Sequence, residues 1–222
     1  MAGEGRESII LLDKNRIFVF NGNEFLTLDV PETVVRDIDI VDKSGFDSLV
    51  DTFIKTKKLN STPVWLVLAD GICFSKDVTE TDATKVEGEI KDFLDAVPFD
   101  KIISKRYRAG NGIRVIAANQ EYIEAVIEIF EKDGFVTEGI VPGAMFPGFS
   151  TRKVLDADFA RYILGNRDLM ITGNMLTKIF LPVNSHETPQ EAPNKKSKLL
   201  PFLIGGLLVL LIILVVVIMA RK

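Results

Sequence analysis

The feature that most constrains this 222-residue chain is an unbroken apolar run close to its C-terminus. The run begins at Leu199 and ends at Ala220, and it contains no charged, hydroxyl or amide side chain. As a helix it would reach roughly 33 Å, which is enough to cross a hydrocarbon core of about 30 Å. We therefore expect a single transmembrane helix over residues 199–220. A buried core helix is the weaker interpretation, because core helices are usually shorter and more mixed.

The charges around this run and the N-terminal sequence predict on which side of the membrane the rest lies. The short apolar stretch at residues 9–12 is interrupted by Asp13 and does not resemble a signal peptide. Three lysines precede the run and two basic residues follow it, so the charge bias across it is slight: Lys195, Lys196 and Lys198, then Arg221 and Lys222. The one cysteine, Cys73, fits a reducing compartment. We expect the N-terminal portion to be cytoplasmic.

Composition predicts an acidic globular body joined to the run by a tether. The net charge is −4 although five of the positive charges flank the run, so the body is distinctly acidic. An acidic body has no electrostatic footprint for nucleic acid, and we expect no such partner. Residues 184–198 are polar and contain two prolines, which predicts a flexible tether.

The first third of the body reads as an α/β core. We expect strands at residues 8–12, 16–20 and 24–30, while residues 33–41 fit a strand or a short helix. Apolar residues at helical spacing follow, with Ser44 as a plausible N-cap, and a continuous apolar run at residues 64–70 indicates a strand buried on both faces. The order strand, helix, buried strand is typical of an α/β core.

The remaining elements are equally regular up to residue 141. The pattern predicts helices at residues 82–96, 120–133 and 157–164, and strands at 102–107, 113–118, 135–141 and 178–183. Asn119 is expected to cap the second of these helices, and Gly134 to follow its C-terminus.

Residues that could carry chemistry are few. The sole histidine, His186, lies in the tether, and Cys73 follows a buried strand, where a small hydrophobic role is expected. No glycine-rich phosphate loop of the GxxxxGK or GxGxxG kind is present. We therefore expect no catalytic residue, no metal site, no cofactor and no enzymatic activity. An enzyme whose site gathers Asp37, Asp39 or Asp70 stays as an alternative.

Residues 81–146 form a recognisable series of elements. An amphipathic helix ends near Pro98-Phe99 and is followed by a strand, a hairpin and a strand ending in small residues. Next come a helix from Tyr122 to Gly134 and a strand leading to Pro142. The series resembles the small inserted subdomain of the actin-like proteins of type IV pilus and type II secretion systems, the PilM/GspL-like class. The start, IILLDKNRIFVFNG, is similar to the first hairpin of actin-like folds, so the resemblance covers residues 8–146.

The resemblance implies an α/β (α+β) fold: a partial actin-like, ribonuclease H-like core with an inserted small αβ subdomain, followed by the transmembrane helix. Its divisions would be 1–80 for the partial core, 81–146 for the αββαβ insertion, 147–183 for a return to the core, 184–198 for the tether and 199–220 for the span. Actin-like ATPases carry an Asp-x-Gly hairpin around the phosphates, whereas residues 13–16 here read Asp-Lys-Asn-Arg. About 40 residues remain before the tether, too few for the second half of such a fold. We therefore expect neither a nucleotide site nor ATP hydrolysis.

The resemblance also implies a function and a location. We expect a non-enzymatic scaffold, anchored to the inner (cytoplasmic) membrane by one span, that docks other proteins of a pilus or secretion assembly platform. A tail-anchored tether for cell-division proteins is an alternative. Gly205-Gly206 lies inside the span, but the fuller small-xxx-small spacing is absent, so dimerisation through the tail stays open.

Overall fold

A computed structural model describes residues 7–151 and 156–176. The expected last strand, the tether, the span from Leu199 to Ala220 and its basic flanks lie outside these residues. Within the two described ranges, no helix is both long enough and apolar enough to cross a membrane.

The described residues form ten strands and five helices. The strands are β1 (Ser8–Asp13), β2 (Arg16–Phe20), β3 (Phe25–Asp29), β4 (Val35–Arg36), β5 (Asp39–Ile40), β6 (Pro63–Leu68), β7 (Cys73–Val78), β8 (Ile102–Ala109), β9 (Gly112–Asn119) and β10 (Val136–Pro142). The helices are α1 (Lys43–Lys57), α2 (Ala83–Asp95), α3 (Gln120–Lys132), α4 (Ala157–Gly165) and α5 (Arg167–Gly173).

A five-stranded mixed sheet with the order β10-β6-β1-β2-β3 forms the centre of the fold. β2 runs antiparallel to both β1 and β3, whereas β6 runs parallel to both β1 and β10. β6 lies between two strands and both of its faces are covered, which is why its sequence is continuously apolar. The predicted α/β class and the predicted buried strand are confirmed.

Each face of this sheet has its own hydrophobic core. Successive side chains of a strand point to opposite faces, so Leu66 and Leu68 pack toward α1 and α3, with Phe46 and Phe130 among their neighbours. Trp65 and Val67 point the other way, toward α4 and the residues that follow β10. Trp65 is a core residue as expected, and 3% of its surface is exposed.

A smaller antiparallel sheet, β7-β9-β8, is inserted between β6 and α3. α2 covers one of its faces through a small core of Val78, Ile90 and Val115. β7 pairs with β9 along its whole length, so the smaller sheet begins before residue 81. α3 packs on the larger core and β10 pairs with β6, whereas the division made from sequence grouped both with the insertion.

Local signals place most element boundaries. The side chain of Asn119 caps α3, and Gly134 adopts a φ of 86° after its end, so both predictions are confirmed. The cap of α1 was assigned wrongly: Asp42 accepts from the Gly45 amide at 2.9 Å, and the Ser44 hydroxyl donates to Asp42 instead.

The last residues of α5 and Asn174, which follows them, are held by β8 of the smaller sheet. Lys105 Nζ donates to the carbonyl of Thr172 at 2.8 Å and to that of Asn174 at 2.6 Å. The hydroxyl of Tyr107 donates to the carbonyl of Gly173 at 2.8 Å in a buried setting. A cation and a hydroxyl thus satisfy carbonyls at the C-terminal end of α5 that have no partner within the helix.

The same segment is also held by the edge of the larger sheet. The Met175 amide donates to the carbonyl of Ile140 at 2.7 Å, and the Asn174 Oδ1 atom accepts from the Ile140 amide at 3.0 Å. We call residues 172–175 with Lys105, Tyr107 and Ile140 the α5 clasp, because this segment connects the two sheets.

Candidate docking groove

The hairpin formed by β4 and β5 carries unusual backbone geometry next to the start of α3. Its turn residues Asp37 and Ile38 have φ angles of 50° and 70°, a region that β-branched residues rarely adopt. Ile38 is 6% exposed, so burial of its side chain helps to hold the turn in place. Lys14 pairs with Asp37 at 3.0 Å and ties the hairpin to the turn between β1 and β2.

Asn119 fixes this hairpin to α3. It is 4% exposed, and its Nδ2 atom donates to the carbonyl of Ile38 at 3.0 Å and to Asp39 Oδ1 at 3.1 Å. Its Oδ1 atom accepts from the amides of Glu121 and Tyr122 at 2.9 and 3.3 Å. One side chain therefore caps the helix and sets the position of the hairpin beside it.

A groove of about 570 Å³ lies between this hairpin, the starts of α1 and α3, and the residues that precede β8. It thus has the insertion on one side and the larger core on the other. We call it the acidic groove, and its lining residues are Asp39, Ile40, Lys43, Asp100, Lys101, Asn119, Glu121, Tyr122, Glu124, Ala125 and Glu128.

The acidic groove is negatively charged. Five carboxylates and two ammonium groups line it, which leaves a net charge of −3. Lys101 pairs with Glu121 at 3.1 Å and Lys43 with Glu128 at 3.9 Å. The hydrogen bond that Lys101 donates to Glu121, together with the charge of Glu121, raises the pKa of Lys101, and the charges of Glu124 and Asp100 add to the effect.

Three carboxylates of the groove have no ammonium partner among the described residues: Asp39, Asp100 and Glu124. Glu124 accepts a hydrogen bond from Gln120 Nε2 at 2.7 Å, and Asp39 accepts one from Asn119. These contacts orient the two carboxylates without neutralising them, so the groove keeps an uncompensated negative charge.

Tyr122 lies deep in the groove wall. It is 1% exposed, its ring centroid lies 5.9 Å from that of Phe46, and its hydroxyl has no hydrogen-bond partner among the described residues. Burial, followed by the charge of Asp13, raises the pKa of this phenol, so it stays protonated at neutral pH. A buried hydroxyl without a partner is uncommon, and this residue belongs to the larger core, where its ring packs beside Phe46.

The carboxylates considered for an enzymatic site lie in different settings. Asp39 lines the groove and Asp37 pairs with Lys14, while Asp70 is exposed in a 3₁₀ turn after β6. Among residues 7–151 and 156–176, no group of three or more His, Cys, Asp and Glu side chains is placed to hold a metal ion. Other carboxylates have structural partners, as in the two hydrogen bonds between Arg106 and Glu87.

Cys73 begins β7 and is partly buried. Burial, assisted by the charge of Asp70, raises the pKa of its thiol to about 12. Since the thiolate is the reactive form, this environment favours the structural role expected from the sequence.

The turn between β1 and β2 lies against the turn that follows β6. Asp13 Oδ1 accepts from the Lys14 amide at 2.8 Å. A Cβ atom at Gly71 would lie 3.1 Å from the same carboxylate oxygen, so the Asp13 side chain packs directly against the turn after β6.

Sequence reasoning identified Asn119 as a cap but missed its contact with the hairpin and the groove beside it. Lys101 and Glu121 are charged residues at the boundaries of elements, and such residues are usually solvated. Nothing local shows that Asp100 and Lys101, before β8, lie beside α3. One signal of the groove was available in the sequence: an Asn at a cap position, followed by three glutamates on one face of the helix, Glu121, Glu124 and Glu128.

No protein-family model matches the chain, and no curated protein matches its sequence. Among solved structures, it is similar to a PilM-PilN type IV pilus biogenesis complex, with a TM-score of 0.42 and 10% identity over 63% of this chain and 48% of that chain. It is also similar to the cytoplasmic domain of EpsL, an inner membrane component of the type II secretion system of Vibrio cholerae. That match has a TM-score of 0.41 and 12% identity over 63% of this chain and 58% of that chain.

A third similar structure is a Bacteroides thetaiotaomicron protein with an actin-like ATPase fold and unknown function. Its TM-score is 0.30, with 10% identity over 59% of this chain and 51% of that chain. The chain thus spans about half the length of the structures that it matches. The first two structures come from a type IV pilus system and a type II secretion system, the two kinds of system named in the sequence resemblance.

Proposed function

We propose that this protein is a non-enzymatic scaffold that docks partner proteins of a pilus or secretion assembly platform on the cytoplasmic side of a membrane. The observation that carries the proposal is the acidic groove, which has Asp100 and Lys101 of the insertion on one side and α1 and α3 of the core on the other. In the class that the sequence resembles, the groove between the inserted subdomain and the core receives an extended peptide of a partner. A peptide bound in this way gains affinity from main-chain hydrogen bonds and specificity from alternate side chains.

The apolar run at residues 199–220 supports the membrane location. Its length matches a hydrocarbon core, and a helix of this composition would hold the body close to the bilayer. A partner that spans the same membrane would then meet the groove at a high effective concentration.

The turn at residues 13–16 supports a scaffold without ATP hydrolysis. It contains no glycine to let the backbone approach a phosphate, and Lys14 is engaged with Asp37 of the neighbouring hairpin. The turn therefore serves to hold the β4–β5 hairpin, which borders the groove, through the ion pair between Lys14 and Asp37.

Capture of partners from the native cells tests the proposal. We would purify the full chain, together with Glu121→Trp, which places a bulky ring in the groove, and Glu131→Trp, a matched change at an exposed position of α3 outside the groove. We expect the unchanged chain and Glu131→Trp to retain a pilus or secretion component and Glu121→Trp to lose it.

Two results would overturn this function. Equal recovery with both tryptophan variants would show that the groove is not the docking site. Recovery of cell-division components alone would contradict the assignment to a pilus or secretion platform and favour the division tether instead.

A further inference from the structure

We infer that two copies of this chain pair through the free edge of β3 and join their five-stranded sheets into one continuous sheet across a two-fold axis. This interface goes beyond the proposed function, and it uses none of the residues that line the acidic groove. β3 pairs with β2 on one side, and no other strand of the described residues pairs with it. Part of the opposite edge, β10, is occupied, because the Met175 amide donates to the carbonyl of Ile140.

Two hydrogen bonds at the ends of the β2–β3 pair fix the phase of its ladder. The Asn21 amide donates to the carbonyl of Glu24 at 3.2 Å, and the Val30 amide donates to the carbonyl of Asn15 at 2.8 Å. Both bonded pairs lie just beyond the paired strands and continue their register. Because bonded and non-bonded pairs alternate in an antiparallel ladder, these two bonds decide which residues of β3 bond to β2.

Three residues of β3 point their backbone groups away from the sheet. By this alternation Leu26 and Leu28 bond to β2, whereas the N–H and C=O groups of Phe25, Thr27 and Asp29 point outward. A row of such groups at a sheet edge is a template for another strand. Natural edges are commonly protected by lysine, proline or a bulge, and the strand from Phe25 to Leu28 contains none of these.

The spacing of the outward-pointing residues fits a second copy of the same strand. In an antiparallel pair centred on Thr27, this residue lies opposite Thr27 of the second copy, and Phe25 lies opposite Asp29. Each of these pairs can exchange both of its backbone hydrogen bonds, because all of its members point outward. No like charges face each other, since Asp29 is the charged residue of the strand and lies opposite a phenylalanine.

The side chains of β3 favour the same register. Leu26 and Leu28 are partly buried against the larger core, and each would lie opposite a leucine of the second copy. On the other face Phe25 stacks on Phe18, with 5.4 Å between the ring centroids, and is also partly buried. Apolar pairs across neighbouring strands stabilise a sheet, so the pairing extends both hydrophobic cores.

The contact is small, and the membrane compensates for its size. Five residues from each copy bury far less than the roughly 1,600 Å² of a standard stable interface, so we expect weak association in dilute detergent. The apolar run at residues 199–220 would hold two copies in one bilayer, where their effective concentration is much higher. The two-fold pair uses the β3 edge of both copies, so the assembly closes at two.

Cysteine crosslinking of the full chain in phosphatidylcholine vesicles tests the inference. Cys73→Ala removes the native thiol, and Thr27→Cys or Asp29→Cys then places one thiol on β3. The two Thr27 positions would lie about 5.5 Å apart between Cα atoms, within the range of a disulfide, and the two Asp29 positions about 14 Å apart. We expect oxidation to give about tenfold more dimer from Thr27→Cys than from Asp29→Cys.

A proline variant tests the backbone hydrogen bonds. Thr27→Pro removes an outward-pointing N–H and spares the bonds between β3 and β2, and Thr27→Val is the matched control because it keeps that N–H. We would measure energy transfer between donor-labelled and acceptor-labelled full chains in the same vesicles. We expect Thr27→Pro to weaken self-association by about tenfold and Thr27→Val to leave it unchanged.

Several results would overturn the inference. Equal dimer yields from both cysteine variants, or no dimer from either, would exclude this pairing. In native cells, an adduct of Thr27→Cys with a different protein and none with a second copy would assign the edge to a partner instead. Undiminished energy transfer in a folded Thr27→Pro would also exclude it, and the cysteine result decides alone if that variant does not fold. Docking in the groove is tested separately by Glu121→Trp, so it can survive any of these results.

Discussion

Replacement of Tyr107 by phenylalanine tests whether the α5 clasp is a structural bond between the two sheets. The hydroxyl of Tyr107 donates to the carbonyl of Gly173 at 2.8 Å, and both residues are buried. Phenylalanine keeps the ring but leaves a buried carbonyl without this donor, which costs about 1–3 kcal/mol of unfolding free energy. For a domain of this size each kcal/mol lowers the melting temperature by about 2–4 °C, so we expect a fall of roughly 4–8 °C for the middle of that range.

Thermal unfolding gives the global effect, and hydrogen exchange gives the local one. We expect amides of residues 172–176 to exchange faster in Tyr107→Phe, because the Met175 amide depends on the position of this segment. Tyr162→Phe is the matched control, since Tyr162 is 37% exposed and packs on Phe159 through its ring. An unchanged melting temperature for Tyr107→Phe, or an equal fall for Tyr162→Phe, would refute this account of the clasp.

Three further predictions concern the core, the groove and the thiol. Gly139→Ala would make the new Cβ atom clash with the ring of Trp65. We therefore expect the free energy of unfolding, measured in urea, to fall by about 1–3 kcal/mol. An unchanged free energy of unfolding would refute the close packing. Asn119→Asp keeps the oxygen that caps α3 but loses the Nδ2 donor to the β4–β5 hairpin. Amide hydrogen exchange should therefore become faster in the hairpin while α3 stays protected. Equally faster exchange in both elements would contradict the roles assigned to Asn119. The pKa of Cys73 is raised by burial from 9.0 to about 12, so its contribution to stability is full below pH 9 and lost as the pH rises toward 12. Cys73→Ala should flatten the alkaline fall in melting temperature, and an identical pH profile would exclude the thiol as a cause.

The sequence predicted elements whose signals are local. β6 was readable because a strand covered on both faces must be apolar throughout, and α3 because its cap, its apolar face and Gly134 agree. β7 was not predicted, since its residues 75–77 are polar and the strand exists through its pairing with β9, far along the chain. The β4–β5 hairpin was ambiguous because Ile38 takes a positive φ that its side chain disfavours and that burial and Asn119 impose.

The groove escaped prediction for a related reason. Asp100 and Lys101 come before β8, while Asp39 belongs to a hairpin about 60 residues earlier, and only the placement of the insertion brings them together. The charges themselves were visible, but solvated helix faces carry the same residue types. These charged residues form a site only because a cavity lies between them, and no local sequence pattern predicts that cavity.

Site-specific photocrosslinking in the native cells measures the central claim most directly. A photoreactive amino acid would replace Glu121 in the groove of the full chain, or Glu131 outside it on the same helix. We expect a light-dependent adduct from position 121 with a pilus or secretion component, and no such adduct from position 131. An adduct from both positions, or from position 131 alone, would contradict docking in the acidic groove.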